Sequence, residues 1–171
     1  MEDLEVELKT KYFGKIIMSI SNDERAYGTA VFWTEYKGKE ILFILNDCIY
    51  YKKEKLSICL EIIDKYIELD KIVKQEILEK FSSNETINGY FKSQFDIMNE
   101  KKLLEIFGVT NFKKIDIKYC INKFEYPFLD FNIINNKVIV FADYYISPDY
   151  WEYLHISIDE DLNIIDILHE K

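Results

Sequence analysis

Phe128-Leu129-Asp130-Phe131-Asn132-Ile133-Ile134-Asn135-Asn136-Lys137-Val138-Ile139-Val140-Phe141-Ala142-Asp143-Tyr144 is the stretch on which the fold turns. Two runs rich in β-formers, Phe128 to Ile134 and Val138 to Tyr144, flank Asn135-Asn136-Lys137, a tight hairpin turn. A second hairpin follows, with Tyr150 to Ile158 and Asn163 to Leu168 on either side of Asp159-Glu160-Asp161. Upstream, Ile115, Ile117, Tyr119 and Ile121 alternate with Asp116, Lys118, Cys120 and Asn122, which predicts a half-buried strand. The last third of the chain therefore reads as antiparallel sheet.

The middle reads as helix. Leu56, Cys59, Leu60, Ile63, Tyr66 and Ile67 recur at intervals of three and four, and Leu69, Ile72, Val73, Ile77, Leu78 and Phe81 continue the pattern. Ser82-Ser83-Asn84 breaks it and offers N-caps for a third stripe through Ile87, Tyr90, Phe91, Phe95 and Met98. Asn99 then caps a short helix that Gly108 stops. The first third returns to strand, with Lys15 to Ile20, a run from Tyr27 to Tyr36, and Glu40 to Leu45. Lys37-Gly38 joins the last two runs as a hairpin, and their apolar residues in both alternation classes predict a sheet covered on both faces. Strands, then helices, then strands predict one α+β domain over residues 1–171, a mainly antiparallel sheet with the helices from about Glu54 to Phe107 packed on it.

The 171 residues suit a single domain, and 49% hydrophobic with 16% aromatic content supplies a core. The longest apolar runs fall far short of the roughly 18–20 residues that a membrane span needs. The acidic start Met1-Glu2-Asp3-Leu4-Glu5 is unlike a signal peptide, so the expected location is the cytoplasm. Three cysteines, Cys48, Cys59 and Cys120, contain no C-x-x-C pair and read as buried free thiols in a reducing compartment.

The formal charge is −9, and it is unevenly spread. Residues 127–171 carry nine acids against Lys137 and Lys171 alone, a net −7. One reading of this is solubility. The other is a face that meets a basic partner, with long-range attraction speeding encounter. Either way the field repels phosphates, so nucleic acid is not an expected partner.

Nothing in the chain spells out an active site. There is no H-E-x-x-H, G-x-S-x-G, P-loop or G-x-G-x-x-G, and the histidines are His155 and His169 alone. Asp159, Asp161 and Asn163 imitate the start of a calcium loop, but Ile164 occupies the position that needs Gly. No catalytic residue, metal or cofactor is expected. Aromatics instead crowd the acidic C-terminal segment, so Asp143, Tyr145, Asp149, Tyr150, Trp151 and Glu152 are the expected partner-binding residues.

Tyr12-Phe13-Gly14-Lys15-Ile16, the strands around Trp33 and Lys37-Gly38-Lys39, and the central helices resemble a bacterial family of unknown function. Members of that family open with a strand like F-G-(E/K)-(I/L) and close with F-D-Y-x-I-x-P-x-x-x-x-Y-L, an acidic turn and a final strand. Here the closing stretch runs from Phe141 to Leu154, with Ala142 inserted after the Phe and Leu162 where the turn usually has Gly. Small acidic α+β proteins of this kind are similar to the immunity proteins that bacteria encode beside polymorphic or contact-dependent toxins. The resemblance implies a cytoplasmic binding protein without catalytic residues, and it carries over no site residues. The first hypothesis is then an immunity-type inhibitor that binds and neutralises a cognate toxin, expected to be basic. The alternatives are a housekeeping scaffold or homodimer, and a small metal-dependent hydrolase using carboxylates such as Asp143 and Asp149.

Overall fold

A computed structural model describes residues 4–20, 28–36, 39–46, 53–124, 128–147 and 149–171. Eight strands form one sheet in sequence order: β1 Leu4–Lys9, β2 Lys15–Ile20, β3 Ala30–Tyr36, β4 Lys39–Leu45, β5 Phe128–Ile134, β6 Lys137–Tyr144, β7 Tyr153–Ile158 and β8 Ile164–Glu170. Every neighbouring pair is antiparallel except β4 and β5, which run parallel. A parallel pair has to be joined by a crossover. The chain between these two strands supplies it with α1 Lys53–Asp64, α2 Tyr66–Lys80, α3 Glu85–Ile97, α4 Glu100–Phe107 and α5 Ile117–Ile121. The result is α+β: two antiparallel meanders fused at a central parallel pair, with a helical layer on the sheet.

The alternation of the strands sorts the two faces. Phe32, Phe43, Leu129, Phe131, Val140, Ala142 and Ile156 are buried and join Leu69, Val73, Tyr90 and Phe91 of the helices in one core. Phe43 packs edge-on to Tyr66 of α2, with ring centroids 5.8 Å apart, so the helical layer reaches the first meander as well as the second. The opposite face corrects the expectation of a sheet covered on both sides. Trp33 is 64% exposed there, and Ile17 and Leu168 are also exposed. Apolar content in both alternation classes thus reflects an apolar open face.

Local chemistry sets the element ends. Asn135 and Asn136 take φ values of 51° and 63°, the two left-handed positions of a type I′ turn, which asparagine tolerates. Asn84 and Asn99 accept backbone N–H groups of Ile87 and Lys102 at 3.0 Å as N-caps, and Gly108 closes α4 at φ 71°. The first helical stripe is broken at Lys65, where the Asp64 carboxylate turns to accept the N–H groups of Lys11 (2.9 Å) and Tyr12 (2.8 Å). The Phe-Gly of the opening motif belongs to that junction. Phe13 packs on Phe43 and Tyr66, while Gly14, at φ 72°, accepts the Thr10 N–H.

One predicted strand is a helix. Ile117–Ile121 forms α5, preceded by a single 3-10 turn at Phe112–Lys114. Asp116 accepts the N–H groups of Lys118 (3.0 Å) and Tyr119 (3.4 Å), so a cap overrides the alternating pattern. Conversely, β1 is a strand that its acidic sequence does not advertise. The second late hairpin starts at Tyr153, later than the expected Tyr150. The Lys37-Gly38 turn and Cys48 lie outside the described residues, while Cys59 and Cys120 are buried.

Candidate binding loop and the carboxylate–histidine pair

The loop between β6 and β7 is built from the core outward. Tyr144 ends β6 fully buried, and burial holds its hydroxyl protonated. Ile146 is buried next to it and donates its N–H to the Tyr90 hydroxyl at 3.0 Å. Ser147 accepts the Tyr150 N–H through its carbonyl, and Asp149 reaches Lys102 of α4 at 3.0 Å. At the far end, Glu152 accepts from Ser93 Oγ at 3.0 Å and Gln94 Nε2 at 3.3 Å, and His169 Nε2 of β8 lies 3.0 Å from it. Burial pushes the Glu152 carboxyl upward, but the hydrogen bonds from Ser93 and His169, with the charges of His169 and Lys171, outweigh it and hold the group below the ordinary glutamate value. Between these anchors Trp151 stands 89% exposed.

The loop is anchored at Ile146, Asp149 and Glu152, so the backbone that presents the indole is already placed before a partner arrives. Preorganisation of this kind saves part of the loop-ordering entropy otherwise lost on binding. Tryptophan supplies the largest apolar contact of any side chain and is enriched at interface hot spots.

On the open face of the sheet, β6 and β7 bring Asp143 opposite His155. His155 Nδ1 lies 2.6 Å from Asp143 Oδ1, and its ring stacks on Phe141 with centroids 5.0 Å apart. Asp143 is buried, and desolvation raises its carboxyl against the opposing hydrogen bond from His155. Tyr145 and Tyr153 lie beside the pair with their rings tilted and centroids 5.1 Å apart; burial pushes the Tyr145 hydroxyl up to about 12, and the Asp143 charge adds to that. Two residues back on β5, Asp130 accepts from Asn46 Nδ2, and desolvation pushes its carboxyl up to about 6. Among the described residues, no group of three His, Cys, Asp or Glu side chains is placed to hold a metal ion.

The six expected binding residues therefore divide. Asp149 and Trp151 face outward, Tyr150 is half-buried against the core, and Tyr145 pairs with Tyr153. Asp143 and Glu152 turn to partners within the chain, His155 for one and Ser93, Gln94 and His169 for the other. Asp143 and Asp149, imagined as paired carboxylates, engage different partners, His155 and Lys102. Asp130, Ser93 and His169 were not legible as members of these clusters. Only Asp130 leaves a trace in the sequence, as a charge within an apolar strand. Comparison of the chain with protein-family models, with curated proteins and with solved structures returned no match.

Proposed function

We propose that this chain is a non-catalytic binding protein of the immunity type, which takes a basic protein toxin on the loop carrying Asp149, Tyr150 and Trp151. The observation that carries the reading is Trp151, an 89% exposed indole on a loop anchored by Glu152 and Asp149. An exposed tryptophan between anchored residues of an acidic segment suits a partner that is drawn in by charge and held by apolar burial. The acidic C-terminal segment supplies the attraction, and Trp151 supplies the affinity.

Co-expression with the product of the neighbouring reading frame tests this. Growth arrest caused by that product alone, relieved by the wild-type chain and not by Trp151→Ala at equal soluble levels, is the expected result. Relief by Trp151→Ala equal to wild type overturns the assignment of the loop. A neighbouring product that arrests nothing and binds nothing overturns the immunity reading.

A further inference from the structure

The open face of the sheet carries a pattern of its own, separate from the loop. Cross-strand register aligns Trp33, Leu42 and Phe128 in one row, and Val31, Ile44, Asp130 and Phe141 in the next. Acids interrupt this apolar field. Glu35 and Glu40 stand directly opposite each other on β3 and β4, both exposed, a like-charge pairing that weakens a sheet. Neither has a cationic partner among the described residues. Asp130, framed by Ile44 and Phe141, is hydrogen-bonded by the side chains of Asn46 and Asn132 and makes no salt bridge among the described residues.

We propose that this face is the docking surface for a basic amphipathic helix of a partner protein. Its apolar side would lie over Trp33, Leu42, Phe128 and Phe141, with Lys or Arg side chains set against Glu35, Glu40 and Asp130. Helices already cover the other side of this sheet, and an apolar field broken by carboxylates that meet no cation among the described residues complements a helix that is apolar on one side and basic on its flanks. A second copy of the chain is the poorer occupant, because it brings a net charge of −9 and not the cations that the acids of this face would take. The proposal stands on the sheet alone and does not depend on the loop.

The test uses the full chain and a synthetic peptide of about 18 residues with Leu and Lys at helical spacing, long enough to form a helix when bound. A counterpart with Glu for Lys is the control. The expected result is amide shift changes on β3, β4, β5 and β6, and a Kd that weakens with added salt. Glu35→Lys/Glu40→Lys and Trp33→Ala should each weaken that Kd about tenfold, with Trp151→Ala unchanged. Trp33, Glu35 and Glu40 are exposed, and the charge reversal carries the test if Trp33→Ala fails to fold. Shifts confined to the 145–152 loop or the helices, or equal binding of the Glu peptide, would overturn the proposal. So would a concentration-dependent dimer that Trp33→Ala abolishes in sedimentation.

Discussion

Trp151 and Glu152 are chain neighbours, yet the indole is exposed while the carboxylate is 15% exposed and answers three donors. Reversing Glu152 to Lys removes the acceptor from Ser93, Gln94 and His169 and places a cation among them. Urea unfolding of Glu152→Lys should show a loss of about 2–4 kcal/mol, the cost of buried polar groups left unpaired. Trp151→Ala should fall within roughly 0.5 kcal/mol of wild type, as exposed substitutions do. Because the Glu152 carboxyl lies below its unfolded value, its contribution is present above that value and fades as pH falls through the folded one. Asp130 has the opposite sign. Its carboxyl is pushed up to about 6, so between about 4 and 6 the folded state holds the proton more tightly, and stability declines as pH rises through that window. Asp130→Asn should therefore stabilise the chain at pH 7, by roughly 1 kcal/mol once solvent screening is discounted, and do little at pH 4. Unfolding at both pH values checks this; equal effects would contradict it.

Turns and caps carry the next level. Leu162 sits at φ 67° in the β7–β8 turn, where a glycine would relax the backbone, yet its side chain is buried. The left-handed conformation costs about 1–2 kcal/mol, while removing a buried leucine costs about 2–5 kcal/mol. Leu162→Gly should thus be destabilising by about 1–3 kcal/mol in thermal or urea unfolding, and a gain would show that the turn was strained without compensation. Gly108 at φ 71° gives the reverse case. A Cβ there would meet Tyr119 Cε1 at 3.8 Å, an ordinary contact, so Gly108→Ala should cost only the conformational term, about 1 kcal/mol. These elements also show how much of the fold was legible. The asparagine turn, the Asn84 and Asn99 caps and the Gly108 stop could be read directly because their chemistry is local. The stretch 115–121 could not, because an alternating apolar pattern and a one-turn helix capped by Asp116 look alike over five residues. The Asp143–His155 pair was hidden for a different reason: it depends on the register of β6 against β7, which residues twelve apart do not announce.

At the scale of the whole molecule, the helical layer ties the two meanders together. Asp64 at the end of α1 holds the β1–β2 turn, and Tyr66 of α2 packs on Phe43 of β4. Lys55 of α1 meets Glu160 in the last hairpin, and Tyr90 of α3 packs on His169 of β8. Neither half keeps its inner face covered without the helices, so near- and far-UV circular dichroism should report one coincident unfolding transition. Two separated transitions would mean that the meanders hold independent cores. The charge is just as unevenly placed, and that asymmetry underlies the central claim that the chain captures a basic protein through its β6–β7 loop. The most direct test is the binding kinetics of the neighbouring gene's product on immobilised wild-type, Trp151→Ala and Asp149→Lys chains across a salt series. The account predicts that Trp151→Ala speeds dissociation about thirtyfold or more, as the loss of roughly 2 kcal/mol requires, while Asp149→Lys slows association and flattens its salt dependence. Unchanged dissociation from Trp151→Ala, with association indifferent to Asp149 and to salt, would contradict it.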